Sequence, residues 1–150
     1  MADLKNRLRD DLTTAMKSRD ELRTATLRMV LSAVSAEEVA GKEARELSDD
    51  EVMAVLRREA KKRREAAEAF AGAGRAEQAE REEAEGGVLA GYLPAQLDDA
   101  DLAAIVADVV TRTGASGMKD MGKVMGAVQG AVAGRAEGGR VAAEVRRQLG

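Results

Sequence analysis

The chain has no cysteine, no histidine and no tryptophan, and only one proline, one phenylalanine and one tyrosine. Lacking thiol and imidazole, it forms no disulfide and no Cys/His zinc site, and it has neither a thiolate nucleophile nor an imidazole acid or base. Two aromatic rings in 150 residues make no platform for stacking unpaired bases. Any RNA bound here is therefore read through a folded backbone. No apolar run approaches membrane-spanning length, and the charged stretch from Met1 to Arg9 is unlike a signal peptide. A cytoplasmic protein with no membrane contact is expected. An excess of positive charge is missing too. The formal charge is −3, with 17 Lys+Arg against 20 Asp+Glu in residues 1–97 and 7 against 7 in residues 98–150. An anion site must then be a local patch. The length is enough to bury a core without a structural metal.

What is present has the helical period throughout, and no strand pattern or solenoid repeat occurs. Leu4, Leu8, Leu12 and Met16 mark a first helix. Ser18-Arg-Asp-Glu21 reads as a capping box opening a second, with Leu22, Met29, Val30 and Ala33 on one side and Leu27, Leu31 and Val34 on another. Ser48-Asp-Asp-Glu51 reads as the capping box of a third helix, whose apolar stripe is Val52, Leu56, Ala60, Ala67 and Phe70. Arg63 falls inside that stripe. An unpaired buried guanidinium is very costly, so it is expected to pair with a carboxylate between helices. A fourth helix runs from about Arg75 to Gly91, loosened at Gly86-Gly87, and Pro94 sets a hard boundary. Asp98 or Asp99 caps a fifth helix with Leu102, Ile105, Val106, Val109 and Val110, which Gly114 terminates. Ser116 caps a sixth, from Met118 to Ala133, which Gly134 stops; Gly138-Gly139 lead into a seventh with Val141, Val145 and Leu149. The expectation is an all-α protein with two helical subdomains, a four-helix part over residues 1–93 and a three-helix part over residues 94–150.

The sixth helix has two unlike faces. Met121, Val124, Met125, Val128 and Val132 form a core stripe, while Gly122, Gly126 and Gly130 project from the other side, interleaved with Lys119 and Lys123. Each interior glycine costs a helix about 1 kcal/mol relative to alanine. A bare ridge lets another backbone come close, whether a partner helix or a sugar-phosphate strand. In the second case Lys119 and Lys123 are phosphate contacts, Gly122 and Gly126 allow the approach, and Arg135 and Arg140 extend the patch. A second basic ridge, Arg57, Arg58, Lys61, Lys62 and Arg64, also suits phosphates. Glu65 and Glu68, four residues after Lys61 and Arg64, make an ordinary ion-paired surface the simpler reading there. The carboxylate runs Glu80 to Glu85 and Asp98 to Asp101 have no neighbour that would mark a general acid or a metal cage. Gly114 to Gly117 follows no strand and is neither a P-loop nor a dinucleotide fingerprint. No catalytic residue, metal site, cofactor or small-molecule substrate is indicated.

The segments Arg19-Asp-Glu-Leu-Arg-Thr-Ala-Thr-Leu-Arg-Met29, Arg57-Arg-Glu-Ala-Lys-Lys-Arg-Arg64, Tyr92-Leu-Pro-Ala-Gln-Leu97 and Met118-Lys-Asp-Met-Gly-Lys-Val-Met-Gly126 resemble the GatB/YqeY family, in order, from about Leu4 to Leu149. The same module forms the carboxy-terminal tail of GatB, a subunit of the tRNA-dependent amidotransferase that uses glutamine as amido donor. The resemblance implies an all-α fold of two helical subdomains and contact with the elbow of tRNA. It implies no amidotransferase active site, because glutamine hydrolysis and substrate activation belong to other parts of that complex. A carbon–nitrogen ligase label would describe the complex, and partnership with aminoacyl-tRNA or amidation enzymes is what the likeness implies. The resemblance places its most recognisable signature on Met118-Lys119-Asp120-Met121-Gly122-Lys123, which favours a backbone-contacting face at Lys119, Gly122, Lys123 and Gly126. The alternatives are a protein-interaction adaptor that docks a partner helix on the glycine ridge, and a helper of glutamine-dependent amidation whose nucleophile a partner provides.

Overall fold

The computed structural model describes residues 3–150. The described residues form seven α-helices and one 3-10 turn, with no strand: α1 Asp3–Lys17, α2 Glu21–Glu38, α3 Asp49–Gly72, α4 Ala76–Ala90, α5 Asp99–Thr113, the 3-10 turn Met118–Asp120, α6 Met121–Val132 and α7 Gly138–Leu149. The all-α expectation holds. No helix among the described residues is long and apolar enough to cross a membrane. The chain divides between Leu93 and Pro94 into two compact units.

In the first unit the heptad-like stripes meet in one core of Leu8, Leu27, Val30, Val34, Val52, Val55, Leu56 and Leu89, closed by Leu47 from the α2–α3 connection and by Tyr92 after α4. A charged clamp holds the connection in place. Lys5 Nζ of α1 donates to both carboxylate oxygens of Glu38 at 2.8 Å, and Glu38 Oε2 also accepts the Leu47 N–H at 3.2 Å. The ammonium holds the Glu38 carboxyl below the usual carboxylate range, and the Leu47 amide adds to that effect.

Two of the three capping expectations for this unit's helices and α5 hold, and one is corrected. Ser48 and Glu51 form the reciprocal box that starts α3, and Asp98 Oδ1 accepts the Asp101 N–H to start α5. The second helix is capped by Asp20, whose Oδ1 accepts the Arg23 N–H at 3.0 Å, and not by Ser18. The reason is competition from the end of α1. Arg19 takes φ 58°, and the Asp20 N–H returns to the Ala15 carbonyl at 2.9 Å, closing a Schellman-type turn. That turn absorbs Ser18, whose hydroxyl donates to the Ala15 carbonyl instead.

α4 runs through Gly86-Gly87 to Ala90. Gly86 lies against Arg63, whose Cβ is 3.8 Å from where a Cβ on Gly86 would sit. The backbone of α4 therefore comes close to α3 at the position of Arg63. The expected inter-helix pairing is present. Arg63 reaches Glu82 at 3.4 Å and Glu85 at 3.8 Å on α4, and Glu59 at 3.4 Å on its own helix.

Tyr92 joins the end of α4 to α1. Its hydroxyl donates to Asp11 Oδ2, and the Arg7 guanidinium sits 4.7 Å from the ring centroid. Burial first, and the hydrogen bond to Asp11 second, push the phenol up to about 12. Between pH about 10 and 12 the unfolded chain releases this proton while the folded one keeps it. The stabilisation is thus complete below about 10 and is lost as pH rises through about 12. Because Tyr92 is the only tyrosine and there is no tryptophan, ultraviolet absorbance of tyrosinate reports it alone. The folded protein is expected to titrate well above the value seen in denaturant. Coincident curves would contradict the buried hydroxyl.

The second unit is built on three stripes of helical spacing: Leu102, Val106 and Val109 on α5, Val124, Val128 and Val132 on α6, and Val141, Val145 and Leu149 on α7. Gly114 ends α5 in the left-handed conformation, φ 68°. The Leu97 N–H donates to the Arg135 carbonyl at 2.8 Å, which ties the entry of α5 to the α6–α7 turn.

Candidate nucleic-acid interface

The sixth helix starts differently from the expectation for Ser116. Met118–Asp120 is a 3-10 turn, and Ser116 contributes its main-chain N–H, which donates to Asp120 Oδ2 at 2.9 Å. α6 then stops at Val132 because Ala133 itself turns left-handed, φ 48°, ahead of Gly134 at φ 77°. Within these limits Val124, Val128 and Val132 are fully buried, with Met121 and Met125 packed beside them. Burying this stripe fixes the rotation of the helix, so the opposite residues Lys119, Gly122, Lys123, Gly126 and Gly130 are all exposed. A Cβ at Gly122, Gly126 or Gly130 would meet nothing within 4 Å. The strip is open, and no helix of the second unit lies on it.

The two lysines differ. Lys123 Nζ donates to the Thr113 carbonyl at 3.2 Å, at the C-terminal end of α5, where the helix dipole favours a cation. Two of its three N–H donors remain for a ligand. Lys119 has no hydrogen bond or ion pair with the described residues. The two lie four residues apart, Lys119 in the 3-10 turn and Lys123 in the first turn of α6.

Arg135 and Arg140 are held by other groups. Arg135 donates from Nε to the Val132 carbonyl at 3.0 Å and from Nη2 to the Ala131 carbonyl at 3.1 Å, covering the last carbonyls of α6. Arg140 Nη2 donates to the Leu97 carbonyl at 2.9 Å and to Asp99 Oδ1 at 3.0 Å, joining the start of α7 to the start of α5. In the first unit Arg57, Arg58, Lys61, Lys62 and Arg64 are exposed along α3. Carboxylates are interleaved with them. Arg58 meets Glu37 at 2.9 Å, Lys61 meets Glu65 at 3.9 Å, Lys62 meets Glu59 at 3.7 Å, and Arg64 also has a partner. With four of these five cations partnered among the described residues, the face adds little to stability and offers a polyanion little uncompensated charge beyond that of Arg57.

Two hollows complete the description. One, about 540 Å³, lies at the start of α3 and is lined by Asp3, Glu46, Leu47, Ser48, Asp49, Asp50 and Glu51, a lining that repels anions. Arg45 beside Glu51 holds that carboxyl down to about 2, so it stays charged at any ordinary pH. Among the described residues no group of three acidic side chains is placed to hold a metal ion. The other hollow, a groove of about 420 Å³ between α5 and α6, was not anticipated from sequence. Val109, Arg112, Thr113, Ala127, Gly130 and Ala131 line it. Its only trace in the sequence is the small-residue set Ala127, Gly130 and Ala131, at i, i+3 and i+4 on α6.

The family model described as Yqey-like protein matches residues 5–149. No curated protein matches the sequence significantly.

Proposed function

Since this chain belongs to the YqeY-like family, we propose that it is a non-catalytic helical module that binds folded tRNA, or a tRNA–enzyme complex, through main-chain and phosphate contacts on α6. One observation carries the reading: the glycine strip is open to solvent along its length, beside Lys119 and Lys123. A helix that keeps three glycines outside any internal contact gives up stability of about 1 kcal/mol per position. Close approach by another molecule's backbone is a reason to keep them. The lysines give that molecule its sign. With one Phe and one Tyr in the chain, and Tyr92 buried, single-stranded bases find no stacking surface. A folded RNA presenting its phosphates fits better. The resemblance to the GatB tail points the same way, to the tRNA elbow and to amidation enzymes as company. A chain without cysteine or histidine brings no thiolate to attack glutamine and no imidazole to activate a hydroxyl.

The experiment is a salt titration of tRNA binding by wild type and by Lys119→Glu/Lys123→Glu. Wild-type affinity is expected to fall steeply with salt, and the double variant to bind weakly with a flatter slope. Because Lys123 also caps α5, far-ultraviolet circular dichroism checks that the variant keeps its helices. Equal affinity and equal slope for the two proteins would refute the assignment.

A further inference from the structure

We propose that the groove between α5 and α6 receives an amphipathic helix of a partner protein, one whose apolar stripe is flanked by acidic side chains. The proposal goes beyond the RNA reading of the glycine strip and does not depend on it. Val109 forms the floor of the groove, and Ala127, Gly130 and Ala131 form a wall of methyl size or smaller. Those three wall residues are exposed. Small side chains shorten the distance at which a helix axis can pack, and a shallow apolar trough accepts the i, i+3, i+4, i+7 anchors of a helix face.

The rim carries the charge that selects the occupant. Arg112 lines the groove, paired with Asp108 on its own helix at 2.8 Å. The ammonium of Lys123 is fastened to the carbonyl of Thr113, and the guanidinium of Arg135 to the carbonyl of Ala131; both carbonyls belong to residues of the lining. Two cations pre-positioned by main-chain bonds, Lys123 and Arg135, thus flank an apolar trough, and the charge of Arg112 is shared with Asp108. Acidic flanks complement that rim, and basic flanks are repelled by it. A nucleic acid gains less here, since the lining offers no aromatic ring and, apart from the Arg112 guanidinium and the Thr113 hydroxyl, no side-chain donor.

The test titrates the isotope-labelled full chain with three synthetic peptides: a Leu-striped helix with Glu flanks, the same stripe with Lys flanks, and a scrambled Glu version. The Glu peptide is expected to shift the amides of Val109, Thr113, Ala127, Gly130 and Ala131 and to bind at least fivefold more tightly than the Lys peptide at low salt. Arg112→Glu is expected to remove that preference. Ala127→Glu/Ala131→Glu, at exposed positions, is expected to lower affinity for the Glu peptide at least tenfold with the helical spectrum unchanged. Binding of the scrambled peptide as tightly, shifts outside the groove, or indifference to the alanine substitutions would overturn the proposal. So would tRNA that shifts the amides of Val109 and Thr113 on α5, away from the glycine strip, and displaces the peptide, which would give the groove to RNA. Loss of tRNA binding in Lys119→Glu with peptide binding intact separates the two sites. Absence of tRNA binding altogether, with peptide binding intact, would defeat the RNA reading alone.

Discussion

Arg63→Met is expected to destabilise the first unit by about 3 kcal/mol, the lower end of the range for removing one partner of a buried ion pair. The melting temperature should fall by roughly 12–24 °C for a unit of this size. The guanidinium is surrounded by Glu59, Glu82 and Glu85, whose side chains are between 6% and 17% exposed. Without it, three poorly solvated carboxylates face each other across the α3–α4 contact. Lys62 remains 3.7 Å from Glu59 and Arg81 remains 3.1 Å from Glu85, but Glu82 is left with no cation. These outer partners place the cost at the low end. Arg63→Lys should fall in between, because an ammonium keeps the charge but lacks the planar fork that reaches both helices. Adding Glu59→Gln and Glu82→Gln to Arg63→Met should restore more than half of the loss, since the charges that needed neutralising are gone. Urea melts of the four proteins measure this. A loss below about 1 kcal/mol for Arg63→Met would mean that the cluster behaves as a solvated surface network.

This cluster was legible in the sequence for a simple reason. A cation inside an apolar stripe has few physical outcomes, and pairing between helices is the cheapest. The stripes of α5, α6 and α7 were legible for the same kind of reason: Val124, Val128 and Val132 admit only one face for the core. Ser48-Asp-Asp-Glu51 could be read because all the atoms of a capping box lie within four residues. Ser18-Arg-Asp-Glu21 has the same pattern and failed, because a helix ending just before it takes the hydroxyl for its own carbonyls. Local pattern cannot choose between two local partners. Longer links left no mark at all. Lys5 and Glu38 are 33 residues apart, and Tyr92 and Asp11 are 81 apart. The limit was most severe at the candidate interface. The partners of Lys123 and Arg135 are main-chain carbonyls, which every residue carries, so nothing in the side-chain sequence records them, and Arg140 adds to a carbonyl the Asp99 carboxylate 41 residues away. The groove was invisible because its two walls come from different helices.

Gly122→Ala/Gly126→Ala/Gly130→Ala is expected to make the protein more stable and a poorer RNA binder at once. Gly126 and Gly130 each cost about 0.8–1 kcal/mol relative to alanine, and Gly122, the second residue of α6, costs less, so the three together should add about 2 kcal/mol. The new methyl groups meet nothing within 4 Å, so no repacking cost opposes the gain. Had the strip been an internal helix contact, the same methyl groups would overpack it and lower stability by about 1–3 kcal/mol. The sign of the change therefore reports whether the strip is open in solution. Binding should move the other way. Three methyl groups hold a phosphate strand off the helix surface while leaving both lysines in place, and a drop in tRNA affinity of about tenfold corresponds to about 1.4 kcal/mol. Gly87→Ala on α4 is the control: it too meets open space, so it should give the same gain per residue and no change in tRNA binding. A triple variant that gains stability and still binds tRNA like wild type would show that main-chain approach plays no part, leaving any binding to charge alone. Gain of stability with loss of binding, at unchanged charge, is the outcome that only close contact with the bare helix backbone produces.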